Sequence, residues 1–268
     1  SLNARGHAEL ISASLGHHST RDTTMTTPNT ALVTGASRGI GRAIAHRLAA
    51  DGFTVIVNYA RDAAAAANTV TEITAAGGKA IALQADVSDP QQLQQLFTDA
   101  VQAAGPLAAI VHNAGTLPMA NIALEHLESF DQCVAVNLRS TFLLMGHARE
   151  HLSEGGRFVA LSSSVLARNF PGYGPYIASK AGVEGLVRVF ANELRGRQIT
   201  ANAVAPGPVA TELFFKGKTP EQIAQLAAMN PLERLGEPED IANTVAFLCS
   251  KDGGWVNGQV LRANGGFA

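Results

Sequence analysis

The chain of 268 residues has only two cysteines, Cys133 and Cys249, far apart in the sequence. So few thiols exclude a disulfide framework and a cysteine-based zinc cluster, and they fit a reducing cytoplasm. A charge excess is also lacking, because 20 basic and 22 acidic residues leave a formal net charge of −2. Without a strong field of one sign, we expect neither nucleic acid nor an acidic membrane as a partner.

Long apolar runs are missing too. Purely apolar stretches reach only five residues, as at 63–67, against the roughly 20 needed to cross a bilayer. Residues 1–27 lack the apolar core of a signal peptide, and Glu9 and Asp22 count against a transit peptide. We therefore expect 1–27 to be a disordered arm or an upstream extension before Met25, followed by a single domain over 28–268.

Glycine, by contrast, is abundant: 26 residues, or about 10% of the chain against a usual ~7%. The hydrophobic share of 46% with 16% charged residues is a globular balance, since a disordered chain is less apolar. Where the glycines lie therefore bears on function.

From residue 30 onward, short apolar runs alternate with helical patterns. Asp89-Pro90 and Glu237-Pro238 predict helix starts, with a cap residue followed by proline. The alternation predicts an α/β fold: a doubly wound parallel sheet with helices on both faces. We expect strands at 31–33, 54–57, 80–83, 107–111, 158–161, 199–204 and 259–261, and helices at 41–50, 63–75, 91–103, 127–152 and 176–194.

A glycine-rich turn over residues 34–41 follows the first strand and opens the first helix. Glycines let the backbone turn sharply and approach a pyrophosphate, whose charge then meets the helix N-terminus. The turn therefore predicts a dinucleotide site with contacts from Gly35, Ser37, Arg38, Gly39, Ile40 and Gly41.

The end of the second strand indicates which dinucleotide binds. Asn58, Tyr59 and Ala60 occupy the place where an NAD-binding protein usually carries a carboxylate for the ribose. Arg38 and Arg61 offer guanidinium groups that suit a 2′-phosphate. We favour NADP(H), with NAD(H) left open, and expect Asp62 to cap the next helix.

Tyr176 and Lys180 stand four residues apart and so share one helix face. A nearby ammonium and a cationic nicotinamide are expected to lower the phenol pKa from its usual value near 10 and make it a usable acid and base. Ser163 ends the fifth strand, at the edge where parallel sheets bind ligands. The sequence does not separate the roles of its neighbours Ser162 and Ser164.

The T-G-x-x-x-G-x-G turn, Ser163 and the Y-x-x-x-K motif together resemble the short-chain dehydrogenase/reductase family, over about residues 30–267. The resemblance implies a Rossmann fold and hydride transfer between a nicotinamide and a carbonyl or secondary alcohol, without a metal. It implies that Tyr176 is the acid/base, that Ser163 polarises the substrate, and that Lys180 tunes Tyr176 and holds the nicotinamide ribose. Asn137 would order a water in a proton relay.

Further cofactor contacts are implied by the same resemblance, after the third, fourth and sixth strands. His112 replaces an asparagine of the family pattern, and we expect it to be a packed residue. Residues 212–229 would form a mobile lid, and helices 127–152 and 176–194 would join a homotetramer. The implied contacts are Asp86, Val87, Asn113, Ala114, Gly115, Pro206, Gly207, Val209 and Thr211.

The apolar residues near these motifs favour an uncharged carbonyl substrate with hydrocarbon bulk, although several could equally pack the lid. Arg168 is expected to be solvated rather than to bind an anion. The candidate pocket residues are Leu117, Pro118, Met119, Val165, Leu166, Phe170, Tyr173, Leu213, Phe214 and Phe215.

The overall pattern is similar to bacterial 3-oxoacyl-[acyl-carrier-protein] reductases, and Arg139, Arg195 and Arg197 could dock an acidic carrier. Residues 153–156 lack the positive charge expected there. We predict an NADP(H)-dependent, 3-oxoacyl-reductase-like enzyme, with a reductase of a small ketone, diketone or sugar outside fatty-acid synthesis as the alternative. A non-catalytic dinucleotide sensor is disfavoured, because the Asn, Ser, Tyr and Lys residues are all present.

Overall fold

The computed structural model describes residues 29–268, which contain one seven-stranded sheet in the order β3-β2-β1-β4-β5-β6-β7. Every neighbouring pair is parallel. The strands are β1 Thr30–Thr34, β2 Thr54–Tyr59, β3 Lys79–Gln84, β4 Leu107–His112, β5 Leu152–Leu161, β6 Thr200–Pro206 and β7 Val260–Ala263.

Helices cover both faces of this sheet, so the predicted doubly wound α/β fold is confirmed. They are α1 Gly39–Ala50, α2 Ala63–Ala75, α3 Pro90–Ala104, α4 Leu127–Cys133, α5 Ser140–His151, α6 Gly174–Glu193, α7 Glu212–Phe215, α8 Pro220–Ala228 and α9 Pro238–Cys249. None of the helices in 29–268 combines the length and apolar character needed to cross a membrane.

Two hydrophobic clusters, one on each face, hold the layers together. Leu32 of β1 belongs to the cluster under α3, α5 and α6, whereas its neighbour Val33 belongs to the cluster under α1, α2 and α9. Successive strand side chains point to opposite faces, which is why these strands read as continuous apolar runs.

The predicted helix starts agree with the structure. Asp62 Oδ1 accepts a hydrogen bond from the N–H of Ala65 at 2.9 Å, and Asp89 Oδ1 accepts one from Gln91 at 2.8 Å. Glu237 and Asp240 form a reciprocal cap at the start of α9. Each cap satisfies main-chain donors that a helix N-terminus leaves unpaired.

The segment predicted as one helix over 127–152 is more complex. A π-helical turn, Val134–Arg139, separates α4 from α5, and β5 begins at Leu152 rather than at 158. Leu152 pairs with Leu107, and the register then shifts before Ala109 meets Arg157. The polar bulge at 153–156 hid this pairing, because it interrupts the apolar run from which a strand is predicted.

Strand order reverses between β1 and β4, which are neighbours in the sheet although not in sequence. Ligands of doubly wound sheets bind at such a switch point, outside the carboxyl ends of the strands. The predicted extension at 1–27 lies outside the described residues.

Candidate active site

The turn after β1 needs its glycines. Gly35 and Gly39 have φ of +61° and +54°, in the left-handed region that other residues rarely adopt. A Cβ on Gly41 would lie 2.2 Å from the carbonyl oxygen of Gly35, so only glycine lets α1 start this close to the turn.

The first turn of α1 suits an anion. Its N-cap residue, Arg38, makes no side-chain cap, and the turn holds no acidic residue. The main-chain N–H groups of this helix end, which carries a partial positive charge, can therefore receive a phosphate. Ser37 and Ile40 flank it, both partly exposed.

Asn58 is buried and connects the loops that follow β1 and β3. Its Oδ1 accepts a hydrogen bond from the N–H of Gly35 at 3.4 Å, and its Nδ2 donates to the carbonyl of Ala85 at 3.1 Å. The amide therefore shapes the site instead of facing a ligand. Arg38 is 74% exposed and lies 4.0 Å from Glu212.

The other side chains predicted for the adenosine end are more accessible than Asn58. Tyr59 is partly exposed, and Ala60 and Arg61 are exposed. Asp86 is partly exposed, and its Oδ1 accepts hydrogen bonds from the N–H and hydroxyl of Ser88, while Val87 is buried beside it.

The loop after β4 is fastened to the glycine turn. Thr34 Oγ1 accepts hydrogen bonds from the N–H groups of Asn113 and Ala114, both at 3.1 Å, and Asn113 Nδ2 donates to the Gly35 carbonyl at 2.9 Å. Gly115 follows at the surface, where a Cβ would lie 3.6 Å from Lys180 Nζ. This glycine keeps the space above Lys180 open.

His112 is a packed residue, as predicted. Its Nδ1 is 2.8 Å from Thr34 Oγ1 and its Nε2 is 2.9 Å from Ser140 Oγ. Burial lowers its pKa to about 3, so the ring is neutral and bridges β1 to α5.

The three consecutive serines after β5 have different roles. Ser162 Oγ donates to Glu184 Oε1 at 2.7 Å, and Ser164 Oγ donates to the carbonyl of Ala205 at 2.7 Å. Ser163 Oγ instead accepts from the N–H of Val165 at 3.3 Å, and its hydroxyl lowers the pKa of the Tyr176 phenol. Only Ser163 thus meets the reactive phenol.

Tyr176 and Lys180 project from α6 into the same cleft. Lys180 Nζ lies 5.8 Å from the centre of the Tyr176 ring and donates to the Leu161 carbonyl at 2.7 Å. Burial raises the pKa of Tyr176 to about 12, although the Ser163 contact opposes this, and burial lowers the pKa of Lys180 to about 8. The expected lowering of the Tyr176 pKa concerned a site that also holds a cationic nicotinamide; in the chain alone, desolvation outweighs the Ser163 hydrogen bond and raises this pKa.

Asn137 lies in the π-helical turn and is fully buried. Its Oδ1 accepts from the N–H of Thr116 at 2.8 Å, and its Nδ2 donates to the Thr116 carbonyl at 2.9 Å and to Ser179 Oγ at 3.1 Å. The amide therefore fixes the chain beyond Gly115 against α6. The sequence did not predict Thr116 and Ser179 as partners of Asn137. They are far from Asn137 in the sequence, and only the folded structure brings them into contact with it.

The segment after β6 closes the cleft on its far side. A Cβ on Gly207 would lie 2.8 Å from Asn264 Cβ, so Pro206-Gly207 passes close to the chain after β7. Val209 is buried, and Thr211 caps α7 by accepting from the N–H of Phe214 at 3.2 Å. A Cβ on Gly39 would lie 3.6 Å from Thr211 Cγ2, so the predicted lid starts beside the glycine turn, with α7 and α8 inside it.

The predicted pocket residues are mostly apolar and differ in exposure. The Phe170 and Tyr173 rings are 5.8 Å apart, and the Phe214 and Phe215 rings are 5.6 Å apart. Met119 is 61% exposed. Leu117, Pro118, Leu166 and Phe214 are partly exposed, Leu213 is exposed, and Val165 is buried.

Two arginines have intrachain roles that the sequence did not reveal. Arg168 is only partly exposed, and its guanidinium lies 4.7 Å from the centre of the Phe267 ring and donates to the Phe267 carbonyl. Arg197 donates to Glu154 Oε1 at 2.8 Å and to the Leu152 carbonyl at 2.6 Å. Arg197 thus holds the start of β5, which argues against its use in docking a carrier.

One group of metal-ligating side chains, His147, Glu150 and His151, occurs in residues 29–268. Its donor atoms all lie within 4.8 Å of one another. The group ends α5 next to the amino end of β5, on the opposite edge of the sheet from Tyr176. It therefore has no part in the cleft.

Comparison with known proteins places the chain in a family. The family model described as enoyl-(acyl carrier protein) reductase matches residues 35–268. A short-chain type dehydrogenase/reductase from Picea abies is 46% identical over 246 residues, which cover 88% of this chain and 91% of the relative. The chain belongs to the short-chain dehydrogenase/reductase family.

Other members of this family are similarly close. An NADPH-dependent aldehyde reductase-like protein, chloroplastic, from Arabidopsis thaliana is 44% identical over 252 residues, covering 88% of this chain and 93% of the relative. The crystal structure of a short-chain dehydrogenase from Burkholderia cenocepacia J2315 in complex with NADP has a TM-score of 0.84 and 36% identity, covering 90% of this chain and 99% of that one.

The family and the oxidoreductase class predicted from the motifs are therefore confirmed. The narrower expectation of a 3-oxoacyl-carrier-protein reductase is not supported, since the relatives are not specifically such enzymes. They favour the alternative, a carbonyl reductase outside fatty-acid synthesis.

Proposed function

We propose that this chain is an NADPH-dependent reductase of uncharged aldehydes and ketones. The observation that carries the proposal is the convergence of Ser163, Tyr176 and Lys180 at the end of β5, beside a glycine turn that is open to an anion. The aldehyde reductase-like relative and the NADP complex support the same reaction class and cofactor.

The residues present fit NADP(H). The N–H groups that begin α1 would hold the pyrophosphate, and Arg38 and Arg61 would meet the 2′-phosphate, where the end of β2 offers no competing carboxylate. Because Gly115 has no side chain, the space next to Lys180 Nζ stays free for the nicotinamide ribose. When bound, the reduced nicotinamide supplies a hydride to the carbonyl carbon.

Ser163 would hold the substrate oxygen. Its Oγ accepts a hydrogen bond from Val165, and its hydroxyl proton, which acts on the Tyr176 phenol in the chain alone, would turn to donate to the carbonyl. A fixed donor is most effective where negative charge develops, as it does on this oxygen during reduction.

Tyr176 would donate the proton that completes the alcohol. With a pKa of about 12, the phenol is protonated at neutral pH and is ready to give its proton to the more basic alkoxide. Lys180, with a pKa of about 8, is mostly an ammonium at pH 7 and stabilises the phenolate that remains.

The substrate would be small and apolar around its carbonyl, without a carrier protein. The exposed apolar rim supports hydrocarbon bulk, and the engagement of Arg197 with Glu154 removes one of the expected docking arginines.

NADPH consumption with a panel of aldehydes, ketones, diketones and sugars tests the function, with a 3-oxoacyl carrier protein and its short thioester analogue included. We expect aldehydes or ketones to be reduced. NADPH consumption at background with every carbonyl would contradict the function, and a carrier substrate that outperforms its short analogue would contradict the choice of substrate class.

The homotetramer implied by the resemblance also stays a proposal. Phe142 on α5 and Val189 on α6 are 64% and 57% exposed, and burial in an interface would remove these apolar side chains from water. Light scattering would test it, and a monomer mass at micromolar concentration would contradict it.

A further inference from the structure

The carboxylate of Glu184, on α6, contacts the end of β5. Its Oε1 accepts the 2.7 Å hydrogen bond from Ser162 Oγ. Ser162 is buried and Glu184 is only partly exposed. Withdrawing a carboxylate from water is costly unless it is hydrogen-bonded, and an O–H···O⁻ bond of this length is of the strong, charge-assisted kind. The contact therefore fixes two elements relative to each other.

Glu184 shares a helix face with the proposed catalytic groups. It follows Lys180 by four residues and Tyr176 by eight, so the three side chains lie along one stripe of α6. Lys180 and Glu184 are hydrogen-bonded to consecutive residues, the Leu161 carbonyl and the Ser162 hydroxyl. The Ser163 hydroxyl, which comes next, lowers the pKa of Tyr176. Side chains on this face of α6 therefore contact successive residues at the end of β5.

Ser163 has little support from the sheet itself. The last residue of β5 in register with β6 is Leu161, opposite Val204, and the N–H of Ser162 still donates to the Val204 carbonyl. Ser163 lies one residue beyond this ladder, so its position depends on its neighbours. Catalytic groups need placement to within roughly 0.5 Å. Ser164 anchors the chain on one side of Ser163 through the Ala205 carbonyl, and the Ser162–Glu184 hydrogen bond is the side-chain anchor on the other side.

We propose that Glu184 is a positioning residue that acts through Ser162 to hold Ser163 in register with Tyr176. Glu184 does not touch the reacting atoms. The inference rests on the proposed carbonyl reduction, because it concerns the geometry of the same Ser163–Tyr176 pair.

Kinetics of Glu184→Ala, Glu184→Gln and Ser162→Ala test the proposal, with Glu193→Ala as an exposed control on the same helix. We expect Glu184→Ala and Ser162→Ala to lower kcat at least tenfold while leaving the Kd for NADPH within twofold. Glu184→Gln should stay within threefold of the wild type, because its amide oxygen can still accept from Ser162. Glu193→Ala should not change kcat.

A Ser163→Ala background separates positioning from a general structural role. If Glu184 acts through Ser163, then Glu184→Ala should cause no further fall in kcat in that background. An equal fall in both backgrounds, or a Glu184→Ala kcat within twofold of the wild type, would overturn the proposal. Glu184→Gln as slow as Glu184→Ala would also overturn it.

The same experiment distinguishes this proposal from the function on which it rests. A wild-type protein that reduces no carbonyl refutes the function, whereas an active wild type with equally active Glu184 and Ser162 variants refutes only the positioning role. If Glu184→Ala does not fold, Ser162→Ala removes the same hydrogen bond from its other end and decides the question.

Discussion

Lys180 and Leu161 are joined at the floor of the cleft, where the lysine Nζ donates to the leucine carbonyl oxygen at 2.7 Å. Lys180 is 5% exposed, and the carbonyl replaces only part of the water that an ammonium has in solution. This is why burial lowers the pKa of Lys180 to about 8.

The lowered pKa predicts how stability depends on pH. Between pH 8 and about 10 the unfolded chain keeps the lysine proton that the folded chain has lost, so this group makes folding more favourable as pH rises. Relative to Lys180→Met, the free energy of unfolding of the wild type should increase by up to about 1.4 kcal/mol per pH unit.

Urea unfolding of both proteins from pH 7.5 to 10 measures this effect. Other buried thiols and phenols with raised pKa values, Tyr176 and Cys249, act in the opposite direction but are common to both proteins. Because Lys180 lowers the pKa of the Cys133 thiol, both proteins carry Cys133→Ser so that this coupling does not enter the difference. The same change at exposed Lys251 is the matched control. A difference between wild type and Lys180→Met that stays flat over this range would contradict the burial argument.

Gly41→Ala should disrupt the dinucleotide turn. The added Cβ would lie 2.2 Å from the Gly35 carbonyl and 2.4 Å from Asn113 Nδ2, so the start of α1 must move away from both. We expect the Kd for NADPH, measured by fluorescence titration, to rise more than tenfold.

Gly146→Ala is the matched control for this change. Nothing in the described part of the chain lies within 4 Å of a Cβ added there, so alanine should stabilise α5 by about 0.5–1 kcal/mol and leave NADPH binding unchanged. Wild-type NADPH affinity in Gly41→Ala would refute the close-approach argument.

Replacement of Arg38 or Arg61 by Ala should weaken NADPH binding selectively. A charge-assisted hydrogen bond to the 2′-phosphate contributes roughly 1.5–3 kcal/mol, so the Kd for NADPH should rise about tenfold or more. The Kd for NADH, which lacks that phosphate, should stay within twofold. Arg195→Ala is the surface control, and parallel losses for both nucleotides would count against the assignment.

Local signals were sufficient to predict the sheet and most helix starts. Asp62, Asp89 and Glu237 act within a few residues of their own positions, so the sequence alone identifies them as caps. The early start of β5 was missed because Arg197, distant in sequence, holds Leu152 and the polar bulge in place.

The sequence was sufficient to predict which residues form the candidate site, but not which hydrogen bonds they make. Ser162, Ser163 and Ser164 look alike in sequence, and only partners more than 20 residues away, Glu184 and Ala205, separate them. Glu184 carried one signal that was overlooked, its spacing of four residues from Lys180 on a helix. The raised pKa of Tyr176 could not be predicted, because it depends on burial by the whole fold.

The most direct test of the account is the Tyr176→Phe variant, assayed for carbonyl reduction and for NADPH binding in parallel. General acid catalysis contributes about 10²–10⁴-fold, so kcat should fall by at least about 10²-fold while the Kd for NADPH stays within threefold of the wild type. A variant that binds NADPH and still reduces the carbonyl at the wild-type rate would contradict the assignment of Tyr176 as the proton donor.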